Sequence, residues 1–161
     1  MNIAIGCDEA AYCLKSVLIG HLEKNHPDVS ITDFGAEEGA VVLYPDVAFA
    51  VADAVAAGTC ERGILLCGTG IGMSICANKV PGVRAAVCHD PYSAERSRKS
   101  NDAQILCLGA RVVGAELAKM LVDIWLRCNF AGGGSAPKVA EIARLEQAHL
   151  QAAAGTASRA E

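Results

Sequence analysis

Apolar positions along the chain follow two alternating rhythms. Short apolar runs at 2–7, 29–34, 63–67, 83–89 and 104–108 read as buried strands. Between them, apolar residues three and four apart read as helices: from about 10, with Ala11, Leu14, Val17, Leu18 and Leu22 on one face; from Tyr44, with Pro45 in the first turn; from Ile71 to the stop Lys79-Val-Pro-Gly82; from Pro91; and over 114–128. Five β-α units in regular order predict an α/β fold, a parallel sheet with helices on both faces.

After Phe130 a glycine-rich hinge, 131–137, leads to a last helix over 138–150. Residues 151–161, dominated by small residues, chiefly Ala with Gly155 and Ser158, read as a frayed, flexible tail behind a single domain over 1–150. A helix that leaves a finished sheet through a hinge has little of its own subunit left to cover. Docking on a second copy is expected, hence a homodimer, with pairing into tetramers left open.

Composition narrows the class. The 161 residues suffice for one sizeable core, and 52% apolar residues with only 4% aromatics imply small side chains packed tightly. No apolar run reaches the roughly 18 residues of a membrane span. Met1 leads straight into a strand pattern, so a soluble, cytoplasmic protein without a membrane partner is expected. A net charge of −4 argues against nucleic acid, although Arg96, Arg98, Lys99 and Arg111 could form a local basic pocket. The eight cysteines lack CxxC pairs and zinc-ligand spacing, and read as reduced thiols.

Candidate chemistry concentrates in 63–79. A strand ending at Cys67 breaks into Gly68-Thr69-Gly70-Ile71-Gly72 and resumes as a helix. Such a junction aims backbone N–H groups and the positive end of a helix dipole at one spot, where an anion or oxyanion can sit. A thiol at a helix N-terminus can drop from a pKa of about 8.5 into roughly the 3.5–7.5 range and act as nucleophile or base. The plainer reading is a core cysteine beside a common glycine turn. The loop is no ATPase-type phosphate loop, and its glycine spacing is one residue short of the dinucleotide fingerprint. Ligands of parallel α/β sheets bind outside the carboxyl ends of the strands, where Asp8, Cys67 and His89 all fall. Asp8 also suits a helix cap, and His89 a cap or surface position. His21, His26 and His149 read as residues of solvated faces.

Several motifs in order, Ile5-Gly-Cys-Asp8, Tyr44-Pro45, the 64–75 stretch, Ala77-Asn-Lys-Val-Pro-Gly-Val-Arg-Ala85, Pro91-Tyr-Ser-Ala94, Asn101-Asp102 and the 109–119 stretch, resemble the ribose-5-phosphate isomerase B / galactose-6-phosphate isomerase family over about 1–150. The resemblance implies a Rossmann-like, three-layer α/β/α homodimer with its C-terminal helix on the partner. It also implies interconversion of aldose and ketose phosphates through a cis-enediolate, without a metal or other cofactor. On that resemblance Cys67 is the base, Thr69 helps shuttle hydroxyl protons, and the amides of Gly68, Gly70, Ile71 and Gly72 form the oxyanion hole. Asp8 and Asn101 hold substrate hydroxyls, and Arg111 binds phosphate.

Departures from the family pattern bear on the substrate, a small phosphorylated sugar. Members acting on pentose phosphates carry ring-opening histidines where this chain has Glu9 and Ser100. Near the hinge, positions usually holding an arginine and a histidine are Gly134 and Ser135, and a second arginine is Lys138, a point charge without the bidentate fork. A substrate with no ring to open fits these losses: in erythrose 4-phosphate the oxygen that would close a furanose is phosphorylated. The chain also resembles the family's tetrulose-phosphate isomerase branch around 89–101. Ribose 5-phosphate with His89 or Glu9 as replacement ring opener, a hexose phosphate suggested by the Asp8-Glu9-Ala10 opening, and a noncatalytic sugar-phosphate-binding subunit stay open.

Overall fold

In a computed structural model describing residues 1–157, the expected parallel sheet is built from β1 (Asn2–Cys7), β2 (Ser30–Asp33), β3 (Arg62–Cys67), β4 (Ala85–Val87) and β5 (Ile105–Gly109). Its order is β2-β1-β3-β5-β4, with every neighbouring pair parallel. The helices are α1 (Tyr12–Asn25), α2 (Tyr44–Ala56), α3 (Ile71–Ala77), α4 (Pro91–Lys99), α5 (Ala115–Arg127) and α6 (Ala136–Ala157).

Alternation along the strands separates two cores. Ile3, Ile5, Ile64, Leu66, Leu106 and Leu108 pack toward α1, α4 and α5 through Leu14, Leu18, Ala94 and Trp125. Their neighbours Ala4, Leu65, Cys67, Ile105 and Cys107 pack toward α2 and α3 through Val47, Val51 and Met73. Full burial of each large aliphatic contributes about 1.5–3 kcal/mol, which fixes register, because a one-residue slip would exchange the two faces. The register sets Cys7 beside Leu66 and Cys67 beside Gly109, so the ends of β1, β3 and β5 share one rim.

The opposite rim is held by buried charge that the apolar pattern did not reveal. Arg62, at the start of β3, donates to the carbonyls of Trp125, Leu126 and Cys128 at 3.0–3.1 Å and to Asn129 Oδ1 at 2.8 Å. It thereby satisfies the open carbonyls at the end of α5. Burial, with help from the Arg98 charge, lowers its pKa to about 10, so it stays cationic at neutral pH. Lys15 is likewise buried, but at the strand-end rim, on Asp33 Oδ2 at 2.7 Å and the Ala36 carbonyl at 2.9 Å.

Some boundaries differ from the sequence expectation. The strand expected over 83–89 spans only Ala85–Val87. It is an edge strand, and side chains take over where its ladder stops: the Arg84 and Ala85 amides donate to Gln104 Oε1 and Asn78 Oδ1 at 2.9 and 3.0 Å. The first helix begins as a 3-10 turn, Glu9–Ala11. The hinge tightens into another, Gly133–Ser135, and α6 then continues through Ala157, past the expected end at 150. The rest of the expected tail, 158–161, lies outside the described residues. His21 and His26 are not on solvated faces: both are half-buried against Asp123. All eight cysteines are free and six are buried, with Cys13 exposed and Cys76 half-exposed. No helix among the described residues is long and apolar enough to cross a membrane.

Candidate active site

The centre of the strand-end rim is the junction after β3. Cys67 is 6% exposed, and the Gly70 N–H donates to its Sγ at 3.0 Å. Gly70 caps α3 at φ +77°, a conformation that glycine adopts without steric cost. A Cβ there would also stand 3.0 Å from the Leu108 carbonyl carbon. The loop is tied to the chain after β5, where the Ala110 and Arg111 amides donate to the Cys67 and Gly68 carbonyls at 2.8 and 3.0 Å. First-turn N–H groups of α3 have no intrahelical partners, and the N-cap Gly70 offers no side chain; the Ile71 N–H reaches Thr69 Oγ1 at 3.3 Å. Thr69 itself is exposed.

Around this loop stand the other rim residues. The Arg111 side chain lies beside Gly68, where an added Cβ would be 3.5 Å from its Cδ and Nη1. Asp8 follows β1 and accepts from the Ala10 N–H at 3.1 Å, so it does cap the turn. Burial, reinforced by the neighbouring Glu9 charge, pushes its carboxyl above the ordinary range; the Ala10 amide and the Arg111 guanidinium oppose that rise. Glu9 is exposed. His89 Nε2 accepts the Gly109 N–H at 3.0 Å, which makes the imidazole the Nδ1–H tautomer and pins it beside the residue paired with Cys67. Tyr44 belongs to this group although its site role was not foreseen: a Cβ on Gly72 would fall 2.7 Å from its Cε2, so the ring lies on the loop. Its signals in the sequence were the Tyr44-Pro45 helix start and the place of that pair among the family motifs.

Three expected residues lie elsewhere. Because α4 runs back from the strand-end rim, Ser100 and Asn101 sit toward the strand starts, opposite Cys67. Ser100 Oγ accepts from Arg96, and the Asn101 carbonyl accepts from Arg84 Nε at 3.0 Å. Asn101, Arg84, Arg96 and Ile142 of α6 line a groove of about 390 Å³. Lys138 is exposed in the first turn of α6. The anticipated basic pocket of Arg96, Arg98, Lys99 and Arg111 does not form. Arg98 is buried on the Ala103 carbonyl (2.8 Å) and Asp102 (3.1 Å), Lys99 pairs with Glu95 at 3.3 Å, and Arg111 is on the other rim.

Residues 3–142 match the family model described as Ribose/Galactose Isomerase. The chain belongs to the ribose/galactose isomerase family. It is 53% identical over 147 residues to the D-erythrulose-4-phosphate isomerase of Pectobacterium atrosepticum, covering 91% of this chain and 95% of that protein. It is 52% identical over 147 residues to the ribose-5-P isomerase B of Listeria innocua, covering 91% and 98%. Among solved structures, the ribose-5-phosphate isomerase B of Clostridium thermocellum superposes with a TM-score of 0.88 at 48% identity, covering 92% and 99%. The expected family, the three-layer fold and the isomerase class all agree with these matches. At the rim around Cys67 a buried thiol, the amides of a glycine loop and the Arg111 cation meet.

Proposed function

We propose that the protein is an aldose–ketose isomerase whose preferred substrate pair is the open-chain tetrose D-erythrulose 4-phosphate and D-erythrose 4-phosphate. Cys67 Sγ takes a proton from C1 of the ketose, leaving a cis-enediolate, and returns it to C2, giving the aldose. Thr69 Oγ1 moves the hydroxyl proton between O1 and O2. The amides of Gly68, Gly70, Ile71 and Gly72 hold the oxyanion, where losing one donor of this kind costs about 3 kcal/mol. Asp8 orients a substrate hydroxyl and Arg111 takes the phosphate. The chemistry asks nothing of a metal. Relatives with tetrose and pentose names are almost equally similar, at 53% and 52% identity, so overall identity does not choose between them.

The observation that carries the tetrose reading is the pair Glu9 and Ser100, which leaves no imidazole at the two positions of the family's ring openers. Asn101 and Lys138 enter the reading through a cytoplasmic homodimer, in which a second subunit brings them to this rim. Exposed Ile142 and Leu145 on α6 suit such docking.

The test is kcat/KM for erythrulose 4-phosphate against ribose 5-phosphate. A tenfold tetrose preference, about 1.4 kcal/mol, is expected. Equal or better turnover of ribose 5-phosphate would overturn it and favour His89, whose Nδ1–H is left free to donate, as ring opener. Turnover of neither would direct the search to hexose phosphates and then to a noncatalytic binding subunit.

A further inference from the structure

Far from the Cys67 rim, a second set of reactive side chains converges. His21, near the end of α1, and His26, which closes that helix, aim Nε2 at the same carboxylate oxygen of Asp123 on α5, at 2.7 and 2.8 Å. The ligand atoms of all three lie within 4.8 Å of one another. The two rings stand 5.9 Å apart between centroids and cross at 62°, so they reach the oxygen from different directions. All three residues are half-buried, and a surface cavity of about 490 Å³, lined by His21, Glu116, Lys119, Met120, Asp123 and Arg127, opens beside them. Glu116 adds a further carboxylate there, held by Lys119 at 2.7 Å.

Two imidazole nitrogens and a carboxylate oxygen form a donor set for zinc and its late first-row neighbours, whereas magnesium and calcium favour all-oxygen sets. At metal–ligand distances of about 2.0–2.1 Å, tetrahedral donors stand about 3.3 Å apart. Each nitrogen therefore has to retreat from the Asp123 oxygen by only about 0.5 Å to admit the ion. Metal takes the Nε2 lone pair and the ring proton passes to Nδ1, so a neutral imidazole stays neutral. On His21 that Nδ1 lies 3.1 Å from the Asn25 amide nitrogen, which also donates to the His21 carbonyl at 2.9 Å. Turning the Asn25 amide presents its oxygen to the new Nδ1–H, the outer support that metal-bound histidines use, and gives up its bond to the His21 carbonyl.

We propose that His21, His26 and Asp123 form a binding site for a zinc-like divalent transition metal, completed by water from the adjoining cavity, which clamps α1 onto α5. The site lies toward the rim of strand starts, because α1 and α5 both run there from the strand-end rim. It is separate from the isomerase centre, and it is independent of the substrate reading.

The experiment titrates metal-stripped full-length protein with Co²⁺ by visible absorption, then displaces the ion with Zn²⁺. One equivalent per chain is expected, with d–d bands of a nitrogen–oxygen site and no thiolate charge-transfer band. His26→Gln and Asp123→Asn should each weaken binding at least tenfold with circular dichroism unchanged. Cys13→Ser and His149→Gln, which alter exposed alternative ligands, should bind as the wild type does. Asn25→Asp, which places a carboxylate behind His21, should tighten binding several-fold without disturbing the ligands. Zn²⁺ should raise the unfolding midpoint of the wild type and not of His26→Gln. Absence of saturable binding, binding that survives both ligand substitutions, or binding lost with Cys13→Ser would each overturn the proposal and leave a hydrogen-bonded His–Asp–His cluster.

Discussion

β1 and β3 both end in cysteine, on the same rim, and the two junctions that follow have opposite characters. After β1 the turn is closed by a side chain, with Asp8 capping Ala10, and Cys7 is wholly buried. Burial pushes its thiol up to about 11, against the pull of nearby Lys15. After β3 the turn is made mostly of backbone: the Gly70 amide points at the Cys67 sulfur, the N-cap glycine offers no side-chain cap, and only the Ile71 N–H is met by a side chain, Thr69 Oγ1. The same residue type at equivalent strand ends is a packing group in one case and a candidate base in the other. What separates them is the loop, because a side-chain cap consumes donors that a glycine loop leaves aimed at the rim.

The widest separation should come from the cysteines themselves. Cys67→Ser is expected to lower isomerase kcat/KM by about 10³-fold or more, roughly 4 kcal/mol, in protein free of host isomerase. Cys7→Ala should cost about 1 kcal/mol of stability through lost packing and leave kcat/KM within about threefold. Urea unfolding and steady-state kinetics on the two variants measure both arms. Comparable losses of activity in both would erase the distinction.

Much of this contrast was legible in the sequence, for physical reasons. The apolar rhythm is imposed by a sheet buried on both faces, so the five strands and the rim holding Asp8, Cys67 and His89 followed from it. The glycine loop was legible because few other residues tolerate its geometry. Arg62 and the His21–Asp123–His26 cluster were not, since each depends on partners distant in sequence: Arg62 reaches carbonyls more than sixty positions away. Tyr44 was visible as a helix start and part of a family motif, but not as a neighbour of the glycine loop, because its contact with Gly72 arises from packing of α2 on α3. Ser100 and Asn101 could be named by motif, but their place at the far rim follows from the direction of α4.

Gly70→Ala probes the backbone half of the contrast. A methyl at φ +77° faces both the left-handed penalty and the Leu108 backbone at 3.0 Å, so a stability loss of about 1–2 kcal/mol is expected. The amide aimed at Cys67 shifts with it, and kcat should fall about 10–100-fold, somewhat less than for outright removal of a donor. Loss of stability with kcat intact would mean that this amide does not serve the reaction.

His89 gives a smaller effect that divides by chemistry. His89→Leu strips the Gly109 N–H of its acceptor and should cost about 1–3 kcal/mol. His89→Gln can still accept through its amide oxygen and should recover most of that loss. If tetrose turnover survives in the Gln variant within about threefold while any ribose 5-phosphate turnover disappears, the imidazole opens rings in addition to bracing the strand end. Equal losses on both sugars would limit it to bracing.

The smallest effect concerns the capped junction. A carboxyl raised by burial binds its proton more tightly in the folded chain than in the unfolded one. Stability from Asp8 therefore falls as pH rises from the ordinary carboxylate value of about 4 to the raised one, and the penalty stays constant above it. Asp8→Asn keeps an oxygen for the Ala10 N–H and carries no charge, so the cap survives while the titration vanishes. Urea midpoints between pH 4 and 7 should then decline less for the variant, with a difference well under about 1 kcal/mol because solvent screens a half-exposed group. KM for the sugar phosphate should rise at the same time, through the lost charged bond to a substrate hydroxyl. A pH-independent stability difference would mean that the cap itself was broken, and the β1 junction would then depend on the geometry of Asp8 and not on its charge.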